Sequence, residues 1–271
     1  MHDERIAAAI TWAHQVLGPV ELQVIKLRPW AATWRVERPQ APDLYLKCST
    51  AQTGHEATVL QTLTEVVPDL VPELVAADPA AHRLVVASAG TVLRDLKKID
   101  TFDLTAWVPP VESFARLQRR VAPPHADKLL TQGVPDERPH RYPQMLRDFS
   151  TAGQLPAAMR DRLATLADRW ETREPRWWRA SSIPVSIQHG DLHDGNVAVD
   201  AEGRARFFDF GDSTVAHPFT TMDLPLLFAR RVGLAPVLRA HNWLRALTPD
   251  EPGGTGSSSS TSGSTAGSTV R

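Results

Sequence analysis

A chain of 271 residues, 42% of them hydrophobic, carries enough apolar surface for one large domain or for two lobes around a shared cleft. Its 30 lysines and arginines balance 31 aspartates and glutamates, so no net field gathers polyanions and a nucleic-acid partner is disfavoured. No eighteen apolar residues run together and no apolar stretch follows a basic start, which argues against a membrane partner and predicts a cytoplasmic protein; the lone Cys48 rules out an internal disulfide and a thiolate zinc site.

In chain order, Asp3 can cap a helix whose apolar positions Ile6, Ile10, Ala13 and Leu17 recur every three to four residues, and Gly18-Pro19 ends it. Three strand-like runs follow at 22–27, 33–37 and 44–48, separated by turn residues at Pro29 and between Pro39 and Pro42. A helix at 54–67 and extended pieces at 71–77 and 83–87 complete an antiparallel sheet with one helix, the expected N-terminal lobe at 1–88. From residue 90 to 178 the pattern is mainly helical, broken by a proline-rich stretch from Pro123 to Pro143, and 89–250 is expected to form the second lobe. The paired Trp177 and Trp178 are expected to pack in a core, Arg116, Arg119 and Arg120 to form a solvated helix face, and Asp223 to cap a helix or loop. Residues 251–271 draw 16 of their 21 members from glycine, serine and threonine, too little apolar surface to offset ordering entropy, so a disordered tail is expected.

The densest chemistry lies in His189-Gly190-Asp191-Leu192-His193-Asp194-Gly195-Asn196, followed by two short apolar runs at 197–199 and 205–208 and then Asp209-Phe210-Gly211. The runs flank a glycine-containing turn and therefore predict an antiparallel hairpin. Asn196 precedes its first strand and Asp209 follows its second, which brings an amide oxygen and a carboxylate side by side, a pairing suited to Mg²⁺. Asp191 sits in the loop feeding the hairpin and is left without the metal. That division of labour serves phosphoryl transfer, where the metal neutralises phosphate oxygens and a separate carboxylate takes the proton of the acceptor hydroxyl. His189 is expected to bond backbone within the loop, and Asp212 either to assist the site or to cap the segment after Gly211.

The first lobe tests this reading independently, because phosphates also need a strand cation and something to hold it. In Leu44-Tyr45-Leu46-Lys47, alternation puts Tyr45 and Lys47 on one face. Glu56 falls on the apolar stripe of Leu60, Leu63 and Val67, where an acid needs a cation, and Lys47 is the nearest candidate. Tyr45 is placed to lay its ring on a nucleotide base.

Taken together, the His-Gly-Asp-Leu-His-x-Gly-Asn run, the Asp-Phe-Gly-Asp after it and the Leu-Tyr-Leu-Lys strand resemble the motifs of the aminoglycoside phosphotransferase and choline kinase superfamily, from about residue 22 to 227. The resemblance implies an α+β, protein-kinase-like two-lobed fold; ATP or GTP with Mg²⁺; Asp191 as base; Asn196 and Asp209 as metal ligands; and Lys47 with Glu56 as the phosphate-positioning pair. It also implies a hinge around Val86, Ala87, Ser88 and Ala89 whose backbone binds the base. The acceptor would be a small hydroxylated molecule, an aminoglycoside, sugar or amino alcohol, and the mixed charges of Asp127, Asp136, Glu137, Arg138, His140 and Arg141 do not choose among them. Two features depart from the pattern: the turn at 28–33 has no glycine, and about forty residues lie between Asp209 and the tail. A nucleotide-holding module without transfer is the competing reading, and a two-metal phosphoesterase a more distant one, since no second His/Asp/Asn cluster appears.

Overall fold

The computed structural model describes residues 2–96, 107–151, 155–173 and 182–222. Trp177, Trp178, Asp223 and the 251–271 tail lie outside the described residues.

Helix α1 (His2–Leu17) precedes strands β1 (Gln23–Leu27), β2 (Ala31–Val36) and β3 (Leu44–Ser49), helix α2 (Glu56–Val66), and strands β4 (Leu74–Asp78) and β5 (Arg83–Ala87). The five strands form one antiparallel sheet in the order β1-β2-β3-β5-β4. Its two faces follow from strict alternation in the sequence. Ala32, Trp34, Val36, Leu44, Leu46 and Cys48 point one way and bury against Ala9 and Ala13 of α1. Thr33, Arg35, Tyr45 and Lys47 point the other way and are only half-buried, which leaves a polar face free to line a cleft. The expected extended piece at 71–77 begins only at Leu74. Pro72 has no N–H for a ladder, and Leu70 and Val71 are instead buried in the core.

The second part contains the two-residue strand β6 (Thr91–Val92), the short helix α3 (Leu93–Leu96), helices α4 (Val108–Arg120) and α5 (His125–Thr131), and strand β7 (Asp136–Glu137). Helices α6 (Tyr142–Thr151) and α7 (Ala157–Arg173) pack as a pair, pinned by Arg147, which bonds Glu171 at 2.7 Å and Asp168 at 3.1 Å. The proline-rich stretch is thus not a mere break, since α5 and β7 form within it. Strands β8 (Ser186–Gln188), β9 (Val197–Val199), β10 (Ala205–Phe207) and β11 (Thr214–Ala216) make two three-stranded sheets, β10-β9-β6 and β7-β11-β8. The predicted hairpin is β9–β10, with Phe207 opposite Val197. Arg116, Arg119 and Arg120 lie on the exposed face of α4.

One apolar cluster joins the two parts. Leu60, Leu63 and Val67 from the α2 region pack with Leu84 of β5, and the same cluster continues through Phe114 and Leu117 of α4 to Phe207 and Phe210. Phe207 also donates its backbone N–H to the Leu70 carbonyl at 2.9 Å. The sheet's polar face is therefore held at a fixed place above the loops at either end of the β9–β10 hairpin. No helix among the described residues is long and apolar enough to cross a membrane.

Candidate active site

Lys47 reaches from the polar face of β3 to two carboxylates. Its Nζ lies 2.6 Å from Glu56 Oε2 and also bonds Asp209 Oδ1. Glu56 opens α2, is 3% exposed, and accepts the backbone N–H of Phe210 on its other oxygen at 3.1 Å. An acid on an apolar stripe is thus held by an ion pair on one oxygen and a hydrogen bond on the other, as its burial requires. Burial alone would lower the Lys47 pKa, but Glu56 and Asp209 hold the ammonium above its usual value. Burial pushes the Glu56 carboxyl up, and Lys47 opposes that shift. Asp209 is driven the other way: despite burial, Lys47 keeps its carboxyl below the ordinary range.

Asp209 has φ of 66°, a left-handed conformation that aspartate tolerates better than most residues. The turn carries its carboxylate from the end of β10 up to Lys47. Just before it, Phe208 donates its N–H to the Asn196 carbonyl at 3.2 Å, which sets Asn196 beside the segment that ends in Asp209.

Asn196 is buried and donates its side-chain NH₂ to the Asp191 carbonyl at 2.9 Å and to Asp191 Oδ2 at 3.2 Å. Its amide oxygen accepts no hydrogen bond among the described residues. Asp191 is held a second time by His193, whose Nε2 lies 3.4 Å from Oδ2 while its Nδ1 accepts the Gly195 N–H at 2.9 Å. Arg94 of α3 donates to Asp194 at 3.0 Å, so His193 and Asp194 brace the loop rather than face solvent freely. His189 is fully buried, bonds the Phe208 carbonyl through Nε2 at 3.0 Å, and rests against the Phe210 ring with centroids 4.7 Å apart. Burial lowers its pKa to about 4, so it is a neutral strut between the Asp191 loop and the Asp209 segment.

The glycine of His-Gly-Asp has a steric cause. Gly190 has φ of 79°, and a Cβ there would lie 1.9 Å from the Asp212 carbonyl oxygen. Any side chain would drive the Asp191 loop and the 209–212 segment apart. Partial burial, together with the nearby Asp191 and Asp209 carboxylates, raises the pKa of Asp212.

The hinge residues are more constrained than the sequence implies. Val86 lies between Tyr45 and Leu74 in the sheet, Ala87 donates its N–H to the Glu73 carbonyl at 2.9 Å, and Ser88 donates to the Asp43 carbonyl at 2.7 Å. The Ala89 N–H makes no hydrogen bond among the described residues. Tyr45 shares the face of Lys47 and has Arg35 and Val86 opposite it on the flanking strands.

Several supports were invisible in the sequence. Buried Gln118 of α4 donates through Nε2 to Ile187 O at 3.0 Å, Pro218 O at 2.9 Å and Thr221 Oγ1 at 3.2 Å, tying β8 to the chain beyond β11. His55 bonds the Ser213 carbonyl at 2.9 Å. Of the mixed charges considered for an acceptor, Asp136 is paired with Arg138 at 2.8 Å, and Glu137 accepts from Thr214 at 3.1 Å and from Gln188 at 3.2 Å. Polar residues on unrelated elements offer no spacing from which such contacts can be read. Among the described residues, no three His, Cys, Asp or Glu side chains cluster as a metal site by themselves.

The fold is similar to that of solved kinases of small molecules. The streptomycin–ATP–APH(2'')-IIa ternary complex matches with a TM-score of 0.58 at 12% identity, over 87% of this chain and 85% of that one. The GDP complex of wild-type aminoglycoside 2'-phosphotransferase-IIIa matches at 0.56 and 16%, over 85% and 82%. Choline kinase LicA from Streptococcus pneumoniae matches at 0.57 and 14%, over 92% and 82%. At these identities the likeness is one of fold. No curated protein matches the sequence. A family model, APH, the phosphotransferase enzyme family, matches residues 22–220, a span that holds the Lys47–Glu56 pair, the Asp191 loop and Asp209. The chain therefore belongs to the APH phosphotransferase family and is a phosphotransferase that acts on an alcohol group.

Proposed function

We propose that the chain transfers the terminal phosphoryl group of ATP or GTP to a hydroxyl of a small acceptor, an aminoglycoside-like molecule, a sugar or an amino alcohol, with Asp191 as base. The observation that carries this reading is the three-way junction of Lys47, Glu56 and Asp209 beside an Asp191 carboxylate oriented by Asn196 and His193. Asp191 accepts the hydroxyl proton as the acceptor oxygen bonds to phosphorus; the bond to the bridging oxygen breaks, and the nucleoside diphosphate leaves with that electron pair. Lys47 orients the phosphate chain as a point charge already paid for by Glu56.

The donor set fits Mg²⁺. Asn196 spends its NH₂ on Asp191 and keeps its amide oxygen unengaged, and Asp209 has a second carboxylate oxygen beyond the one bonded to Lys47. Two protein oxygens with the remaining positions filled by phosphate and water are what this cation takes in nucleotide enzymes. When bound, it supplies positive charge against the phosphate oxygens.

Because Ala87 and Ser88 spend their N–H groups within the sheet, the Ala89 N–H is the hinge donor for the base, and Tyr45 packs on the ring. The known nucleotide complexes of the fold include both GDP and ATP, so both donors enter the test. Transfer from radiolabelled ATP and GTP across aminoglycosides, sugars and amino alcohols should show a labelled product with Mg²⁺. Nucleotide binding without turnover on any acceptor would favour a holding module instead.

A further inference from the structure

The cleft face of the sheet carries a second lysine that the motifs do not mention. Strand β1 is an outer strand of the sheet, and its register against β2 slips between Val24 and Lys26: Val24 lies opposite Trp34, whereas Lys26 lies opposite Thr33. Ile25 is the extra residue of this bulge. With unbroken pairing, Ile25 would oppose Thr33 and Lys26 would oppose Ala32, which is buried against α1. The bulge therefore turns Lys26 from the α1 face to the cleft face.

Thr33 in turn lies opposite Lys47. Lys26, Thr33 and Lys47 thus form one row across three neighbouring strands, with side chains on the same face and the two lysines roughly 10 Å apart at the backbone by ordinary strand spacing. Lys47 is neutralised by Glu56 and Asp209, but Lys26 is exposed and makes no hydrogen bond or ion pair among the described residues. Its charge nonetheless reaches Asp209, adding to the effect of Lys47 on that carboxyl against the opposing effect of burial. The adjoining turn, closed by the Arg28 N–H on the Ala31 carbonyl at 2.8 Å, has no glycine that would let backbone amides lie along a phosphate chain.

Resting on the phosphotransferase reading above, we infer that Lys26 is a second phosphate-binding residue, delivered by the β1 bulge to the open side of the triphosphate and serving in place of a glycine-rich cover. The ligand chemistry is a nucleoside polyphosphate, with Lys47 and Lys26 on either side of its phosphate chain.

Titration calorimetry on the full chain with Mg²⁺ tests this, using ATP and adenosine, or GTP and guanosine if those are what wild type binds. Lys26→Gln should weaken triphosphate binding by about tenfold or more, the usual weight of one charge-assisted contact, and leave nucleoside binding within about twofold. Lys26→Arg should restore most of the loss. An unchanged triphosphate affinity in Lys26→Gln would overturn the assignment, as would an equal loss for the nucleoside. A variant that self-associates but binds triphosphate normally would assign Lys26 to guarding an outer strand on which Val24, Ile25 and Leu27 are exposed. Wild type that binds neither triphosphate would sink the phosphotransferase reading itself, and with it the role of Lys26.

Discussion

The Phe210 backbone N–H donates to Glu56 at 3.1 Å while the other oxygen of that carboxylate holds Lys47 at 2.6 Å. One buried acid thereby fixes Lys47 to the segment that carries Asp209. Removing it leaves the Phe210 donor without its acceptor and Lys47 with Asp209 alone. Glu56→Ala should cost about 3–5 kcal/mol of folding stability by denaturant titration, the range for breaking a buried pair. Glu56→Gln keeps an acceptor for Phe210 and should cost less. Equal costs for the two variants would remove the Phe210 bond from the account.

Gly190 and Gly203 share a φ of 79°, but only Gly190 has backbone packed where a Cβ would sit. Gly203→Ala should cost about 1–2 kcal/mol, the penalty of the left-handed conformation alone. Gly190→Ala must also displace the Asp212 carbonyl, so it should cost clearly more and weaken nucleotide binding as well. Thermal denaturation and nucleotide titration of the pair compare the two directly; similar effects would mean that the close approach at Gly190 is easily relieved.

Folding stability should fall on acidification in two stages. His189 has a folded pKa of about 4 because burial opposes its charge, against an unfolded value near 6.5. Its contribution is complete above the unfolded value and is lost as pH drops from about 6.5 to 4, up to ~3 kcal/mol, because only the unfolded chain takes the proton in that window. His217, likewise held at about 4 by burial, acts in the same direction. The carboxyl of Asp209 is depressed, so its contribution persists above the ordinary aspartate range and is lost only at lower pH. Denaturant midpoints from pH 7 to 4 should show a shallower slope for His189→Gln than for wild type. Parallel slopes would contradict a neutral buried His189.

How much of this was legible in the sequence depends on the range of the interaction. Lys47 and Glu56 could be paired from strand alternation and from an acid misplaced on an apolar stripe, and β9–β10 from two runs around a turn. These are local patterns that tertiary contacts then completed. The state of the hinge was not legible, because the Ala87 and Ser88 N–H groups are occupied by carbonyls of Glu73 and Asp43, which only the assembled sheet brings near. Lys26 was hidden for a related reason: its face depends on a bulge, and one slipped residue inverts any reading by alternation. The glycine at 190 was visible in the His-Gly-Asp run, but its cause, the Asp212 carbonyl, comes from twenty-two residues along the chain.

The metal assignment makes a separable claim. Asp209→Asn should weaken nucleotide binding when Mg²⁺ is present and change it much less with chelator. An equal loss under both conditions would mean that Asp209 acts through Lys47 alone.

The central claim is that Asp191 takes a proton during phosphoryl transfer without helping to hold the nucleotide. The direct measurement is the rate of phosphate transfer by Asp191→Asn beside its nucleotide affinity, both compared with wild type. Transfer should fall by roughly 10²–10⁴-fold, the usual weight of a positioned base, with affinity within about twofold. Transfer at near the wild-type rate would contradict the account.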